Sequence, residues 1–452
     1  MRTLTQNSNI DEVKSTEELT KIMQNVLERA RAHGATDASV SVNNDSGYSI
    51  DVRMGAVETV AFSEDNEVSI VAYKGFCKGG ASSTDLSPRA IDDMVKAAID
   101  IANVSASDPC FGLADRDLMR NEYPNLGLCH PWSISPDEAI EMALSCENQA
   151  YALDKRIVNS DGVNISTYTF KQGYANSHGF SGVVLSSRQS ISCSLIAKEN
   201  DSMQRDYDYT TARSSKDLLP IDLLAKSAVN RTLSRLGARP IKTQKVPVIF
   251  SSRVSSGLFS TFINAISGSN LYRKNSFLLD SIGLNLFPKF IKIYEEPQLY
   301  GALGSTPFDG EGVPTRSNIF VEDGAVRQYV LSSYSARKMG LKTTANSGGV
   351  FNLTIDSNAK DLNELLRKMD TGLLVTELMG QGINILTGDY SRGASGFWVQ
   401  GGKIQFPVEE ITIAGNLKDM YGAIVAVGAD HNPNVSTRCG SVLIEQMTIA
   451  GI

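Results

Sequence analysis

The stretch Thr371–Met420, TGLLVTELMG QGINILTGDY SRGASGFWVQ GGKIQFPVEE ITIAGNLKDM, decides the fold. Its short apolar runs, Leu373–Val375, Ile383–Leu386, Phe397–Val399 and Ile411–Ile413, alternate with glycine pairs and polar turns, the spacing of consecutive β-strands. A meander or part of a barrel is expected. Asp389, Tyr390, Ser391 and Arg392 lie between Gly388 and Gly393, and Asn416, Lys418 and Asp419 follow Gly415. Glycine lets the backbone approach a ligand closely, and the polar neighbours supply hydrogen-bonding groups. A solvated turn is the plain alternative.

Upstream, the apolar strand Val246–Phe250 opens a C-terminal domain over 242–452. In Arg253–Ser267, Val254, Leu258, Phe259, Phe262, Ile263 and Ile266 recur at helical intervals, which predicts a buried helix. A polar turn at Arg273–Asn275, a hairpin around Asp323–Gly324 and a short helix at Ser335–Met339 follow. At the other end, Ser15 and Glu18 form a capping box, and Leu19, Ile22, Met23, Val26 and Leu27 continue an amphipathic helix to Gly34. Period-two alternation from Ala38 to Ser82 predicts strands with a hairpin at Met54–Gly55, then a helix carrying Ile91, Met94, Val95, Ala98 and Ile101. This is a first domain, 15–103. A proline-bearing connection, Asn103–Ser135, leads to a middle domain, 126–238. There a helix at Pro136–Leu153 precedes strands at Val158–Thr169, Gly182–Ser187 and Ser190–Lys198, the polar run Glu199–Asp208 is expected to break them, and a helix spans Pro220–Leu236. The expected class is α+β: an N-terminal helix and antiparallel-sheet domain, a middle α/β segment, and a larger strand-rich C-terminal domain, barrel-like or a sandwich.

A chain of 452 residues exceeds one usual core, and 42% apolar with 21% charged residues is ordinary for a globular protein. Net charge of −7 without a basic stripe argues against general binding to nucleic acid or anionic membranes. No window supplies the roughly 20 apolar residues of a membrane span, and the first residues lack a signal-peptide pattern, so a cytoplasmic location is expected. The six cysteines, Cys77, Cys110, Cys129, Cys146, Cys193 and Cys439, show neither disulfide nor CxxC spacing.

Hydrolysis needs a nucleophile or an activated water. The four histidines, His33, His130, His178 and His431, do not form HExxH, and GxSxG, GxxxxGK and GxGxxG do not occur. His178 and Cys439 are the remaining single candidates, against the plainer readings of a structural turn histidine and a buried thiol. A site built on Cys439, His178 or Asp389 alone is the least supported hypothesis.

The wording of several segments carries more. TELMGQG, GDYSRGASGFWV, ITIAGNLKDM and CGSVLIEQMTIAG, with NSHGF, MQRDYDYT, RTLSRLGAR, LYRKNSFLLDSIG, GSTPFDGEGV and SSYSARKMGL upstream, closely resemble the TldD/PmbA family, on its PmbA (TldE) branch. The resemblance runs from about Ser160 to Ile452. It implies a zinc metalloprotease complex that degrades unfolded peptides, with zinc held in a TldD-like partner by HExxxH and a C-terminal cysteine. Set against that motif, this chain has Ser260, Thr261 and Ala265 at the corresponding positions, and only Cys439 matches a ligand. The resemblance therefore implies no metal here, a heterodimer with a TldD-like subunit or a homodimer, and a peptide groove lined by Asp389, Tyr390, Arg392 and Asn416. The alternative from another class is a non-enzymatic interaction protein that modulates DNA gyrase or a related regulator.

Overall fold

The computed structural model describes residues 16–451, so Ser15 of the expected capping box lies outside it. Helix α1 (Thr16–Ala32) precedes three strands, β1 (Asp37–Arg53), β2 (Ala56–Lys74) and β3 (Cys77–Ser83), and helix α2 (Pro88–Val104). Then come α3 (Pro136–Leu153), β4 (Ile157–Asn176), β5 (Ser181–Glu199), β6 (Ser202–Ala212) and α4 (Ile221–Ser234). The six strands form one antiparallel half-barrel in the order β3-β2-β1-β4-β5-β6. Because β1 pairs with β4 from Ser39↔Asn176 to Val52↔Val163, the first and middle segments share a single sheet.

Alternation along β1 puts Val40, Val42, Ile50 and Val52 on one side, all buried. Helices α1 and α2 cover the end with Val40, Val42, Val68 and Ile70; α3 and α4 cover the end with Ile50, Val52, Val163, Ile165 and Ile191. Fully burying one such side chain contributes about 1.5–3 kcal/mol. The helices start where their caps dictate. Ser87 accepts the Ala90 N–H ahead of α2, and Ser135 and Glu138 form a complete capping box on α3.

The expected break at Glu199–Asp208 shrinks to a turn at Asn200 and Asp201, with Asn200 at φ 52°, and β6 follows it. The run is polar because its side under α4 meets polar groups of that helix: Asp208 accepts the Ser227 hydroxyl and Asp206 lies 3.5 Å from Arg231.

Farther on, β7 (Gln244–Phe250) leads into α5 (Ser252–Ala265) and α6 (Gly268–Tyr272). A small sheet and its neighbours follow: β8 (Ile293–Glu295), β9 (Asn318–Glu322), β10 (Ala325–Val326), α7 (Ser333–Met339), β11 (Leu353–Ile355) and α8 (Leu362–Met369). The chain ends with β12 (Gly372–Met379), β13 (Asp389–Gln400), β14 (Lys403–Asn416), α9 (Leu417–Gly422), β15 (Ile424–Val427), β16 (Thr437–Arg438) and β17 (Val442–Ala450). Strands β14-β13-β12-β7-β17 run side by side, and β17 pairs back onto β14 from Thr412↔Ala450 to Ala414↔Thr448. That closes a five-stranded barrel. Val248, Phe250, Val375, Ala394, Ile413 and Ile444 share one buried cluster with Leu258, Phe259 and Phe262 of α5. The other side of the wall, with Ile249, Leu374, Val399 and Leu443, packs under α8.

Two expectations about this region change. Ile383–Leu386 is a loop that folds back, joined to the barrel by an Ile383↔Tyr390 bridge. Asp389–Arg392 are the first residues of β13 and not a turn. The loop reverses at Gly380 and Gly388, with φ of 77° and 80°, so the glycines mark its ends. Among the described residues no helix is long and apolar enough to cross a membrane.

Candidate functional site

All four helices of the half-barrel lie on one side of the sheet, so its other side is bare of helices. There the alternate residues of β1, β4 and β5 are small and polar: Ser39, Ser41, Ser49, Asn164, Ser166, Ser190 and Ser192. Aromatic pairs interrupt them. Tyr168 stacks with Phe170 at 6.2 Å and Tyr207 with Tyr209 at 6.3 Å. Side-chain hydroxyls, amides and ring faces are suited to an extended peptide, whose backbone needs donors and acceptors and whose side chains need flat apolar contacts.

This face is tied to α5. The Arg253 guanidinium lies 4.7 Å over the Tyr207 ring and donates to Tyr207 O at 3.1 Å and Asp208 Oδ1 at 3.3 Å. Along α5, Ser255, Leu258, Phe259 and Phe262 are buried, whereas Ser260 and Asn264 are exposed. Thr261 donates its hydroxyl to Gly257 O at 2.8 Å, and Ala265 is buried.

Cys439 is buried, donates to Gly440 O at 3.2 Å, and lies beside Ser255. Ser255 and Ser260 are five residues apart, roughly 140° around a helix and about 7.5 Å along it. Cys439 thus neighbours the first turn of α5, upstream of Ser260, Thr261 and Ala265. Burial pushes the Cys439 thiol up to about 12, so it holds its proton. The nearby Asp430 carboxylate is occupied by Ser441, through N–H at 2.8 Å and Oγ at 2.7 Å. A zinc site needs three protein ligands from thiolate, imidazole or carboxylate groups. These residues do not fit one, and among the described residues no group of three or more His, Cys, Asp or Glu has that arrangement.

The barrel corner divides the other four candidates. Asp389 and Asn416 face each other across β13 and β14, and Asn416 Nδ2 donates to Asp389 Oδ1 at 3.3 Å and Thr387 O at 3.1 Å. Thr387 Oγ1 donates to Asp389 Oδ2 at 2.6 Å, and Asn416 Oδ1 accepts the Lys418 N–H at the start of α9. Gly388 is required here, since a Cβ would stand 3.2 Å from the Phe277 ring and 3.3 Å from Asn416 Oδ1. Tyr390 and Arg392 point to the opposite side of β13. Tyr390 is buried edge-on to Phe250, and burial raises its hydroxyl to about 12 against the lowering pull of Arg392.

His178, a single candidate from sequence, holds the linker to β1: Nδ1 lies 2.8 Å from Ala114 O and Nε2 3.4 Å from Asp37 Oδ1. Sequence reasoning missed the buried carboxylates, two of which, Glu295 and Asp309, lie in the C-terminal half. Glu295 accepts Asn318 Nδ2, Asn346 Nδ2 and Phe351 N–H at 2.6–2.7 Å. Asp309 accepts the N–H groups of Glu311, Val313 and Ser347 at 2.9–3.0 Å, and burial raises it to about 7. Both organise loops. The only signal was the acid–glycine run at Asp309–Gly312. A cleft of about 470 Å³ between Leu126–His130, Val183–Leu185 and Tyr300 was likewise silent in sequence.

A helix-backed half-barrel joined to a closed barrel, with α5 reaching from one to the other through Arg253, defines the class of protein. Models of the PmbA/TldA metallopeptidase match in three parts: domain 1 at 38–102, the central domain at 129–236 and the C-terminal domain at 243–451. The chain is 47% identical to the metalloprotease PmbA of Escherichia coli O157:H7, covering 95% of this chain and 96% of that one. It is 44% identical to the PmbA homolog of Haemophilus influenzae, covering 96% of each. A crystal structure from Bacteroides thetaiotaomicron, described as a candidate modulator of DNA gyrase, superposes with TM-score 0.91 at 28% identity, covering 97% of this chain and 100% of that one. TldE of Thermococcus kodakarensis shares the fold, with TM-score 0.82 at 21% identity over 95% of this chain and 100% of that one. The chain belongs to the PmbA/TldD metallopeptidase family.

Proposed function

We propose that this chain is the peptide-holding subunit of a cytoplasmic zinc metallopeptidase complex acting on unfolded peptides, and that a TldD-type subunit supplies the zinc. The observation that carries the proposal is a juxtaposition. A polar, aromatic-punctuated sheet face meets the first turn of α5 through Arg253, and the exposed residues farther along that helix, Ser260 and Asn264, are not zinc ligands. The face holds an extended chain through hydroxyl and amide contacts, and the Asp389–Asn416 corner adds a carboxylate at the barrel rim. Tyr390 belongs to the packing beneath that corner. Hydrolysis needs a metal-activated water or its equivalent, and that chemistry belongs to the second subunit.

The test is co-expression with a TldD-type chain, followed by metal analysis and an assay on an unfolded protein. The expected result is a stable complex with zinc in the partner and an activity that neither chain shows alone. Stoichiometric zinc in this chain alone, lost on Cys439→Ser, overturns it.

The description of the Bacteroides relative supports a second reading, direct modulation of gyrase by contact. Copurification with gyrase and none with a TldD-type chain would favour that reading.

A further inference from the structure

Strand β2 is paired on both sides only in its second half. With β1 it pairs from Ala56 to Tyr73, but with β3 only from Val68 to Lys74. Residues 56–65 are all exposed, and among the described residues no strand lies against their outer edge. The opposite edge of the same sheet is closed at Tyr207 and Tyr209. On β6, Tyr207 N–H donates to Asp206 Oδ1 at 2.7 Å and Tyr209 N–H to Asp208 Oδ1 at 3.0 Å. Arg231 and Arg253 both donate to Tyr207 O. The middle of one edge is thus satisfied from within the chain, while the other presents a row of free backbone groups about ten residues long.

An open edge of that length is a template for another strand, and single-chain proteins normally blunt it with proline, lysine or a covering loop. Here the segment holds neither proline nor lysine, and apolar residues stand on it beside its acidic ones. Val60 stands opposite Ile50 and Phe62 opposite Tyr48, so they prolong the apolar side of the sheet beyond its helices, with Phe62 68% exposed. Charge then selects the partner. Segment 56–67 carries no lysine or arginine; Glu58 lies 3.9 Å from Arg53, Glu64, Asp65 and Glu67 supply the remaining acidic charge, and Asp65 faces Asp45 across the strands. Pairing with a second copy would set two such acidic strands about 4.8 Å apart, which is unfavourable.

We infer that the outer edge of β2 over residues 57–66 is the docking edge for the second subunit, which adds a strand bearing basic side chains and an apolar contact for Phe62. This rests on the two-subunit reading above and deepens it by naming the surface. Association is then weakened by salt, as charge complementarity across a strand pair requires.

Two measurements test the edge in the full-length complex. Amide hydrogen exchange of residues 57–66 is expected to slow on complex formation. Phe62→Lys and the double variant Glu64→Lys/Asp65→Lys are each expected to weaken association at least tenfold while leaving the free chain's circular dichroism and melting temperature unchanged. Val104→Lys, at a still more exposed apolar site on α2, serves as the control and is expected to associate normally. If the wild-type chains associate but residues 57–66 stay unprotected and Phe62→Lys binds normally, the edge assignment fails while the subunit reading stands. If the wild-type chains never associate, both fail. A homodimer protected over 57–66 would overturn the choice of a basic partner.

Discussion

Glu147, in the middle of α3, accepts the backbone N–H of Gly55 at 2.7 Å and that of Met54 at 2.9 Å, with its side chain fully buried. These donors belong to the tip of the β1–β2 hairpin, where Met54 and Gly55 both have positive φ, 51° and 73°. A two-residue turn of that kind matches the twist of paired strands, yet Met gives up about 1–2 kcal/mol in the left-handed region. The carboxylate offsets that strain and fixes the hairpin against α3. Glu147→Ala should therefore lower stability by about 2–3 kcal/mol, read as an earlier urea transition, because two N–H groups lose a charged acceptor. An unchanged transition would remove Glu147 from the account of the hairpin.

Asp309 sets a pH dependence of stability. Burial raises its carboxyl from the usual carboxylate range to about 7, although three N–H groups favour the charged form. The folded chain thus keeps a proton that the unfolded chain releases. Its stabilising effect is complete below about pH 4 and is lost as pH rises through about 7. Asp309→Asn should flatten the decline in melting temperature between pH 4 and 7 relative to wild type. Parallel curves for the two proteins would exclude Asp309 as the titrating group.

Arg337, on α7, gathers the linker onto the C-terminal half. Its guanidinium donates to Cys110 O at 3.4 Å, Gly112 O at 3.2 Å, Leu113 O and Asp115 Oδ1 at 2.8 Å. Lys338 and Tyr334 hold Asp108, whose carboxyl sits near 2 chiefly through the Lys338 contact. Arg337→Ala should speed tryptic cleavage at Arg116 and Arg120 several-fold. Lysine at 337, lacking the fork, should rescue little of this. Equal cleavage rates in all three proteins would show that the clamp does not restrain the linker.

Period and punctuation made much of this fold legible. The 3.6-residue spacing of Leu19, Met23 and Val26 specified α1, and Met54–Gly55 specified the hairpin. What stayed hidden was partnership. Nothing local in Ser39–Val52 says that β1 will pair with β4, more than a hundred residues away, and so join two segments in one sheet. The barrel closure at Thr412↔Ala450 is hidden for the same reason. Polar contacts also mask strands: β6 reads as a break because its side under α4 meets Ser227 and Arg231 in place of apolar side chains. At the candidate site, the adjacency of Asp389 and Asn416 follows from hairpin register. The burial of Tyr390 follows from which side of β13 meets α5, and only the tertiary arrangement decides that.

That split at the corner gives the last prediction. Asp389 is exposed, and its oxygens are held by Thr387 and Asn416 in an orientation that leaves acceptor capacity toward solvent. If the corner contacts peptide, Asp389→Asn removes the charge while keeping shape and the Thr387 contact. The assembled complex should then show KM for an unfolded substrate raised about five- to tenfold with kcat unchanged, a loss of about 1–1.4 kcal/mol in binding. Tyr390→Phe removes a hydroxyl that a peptide cannot reach, so its KM should match wild type even where stability shifts. Asn416→Ala is the less clean change, because it also takes the cap from α9, at a cost of about 1 kcal/mol. A normal KM for Asp389→Asn would make the corner a solvated turn and leave peptide recognition to the sheet face alone.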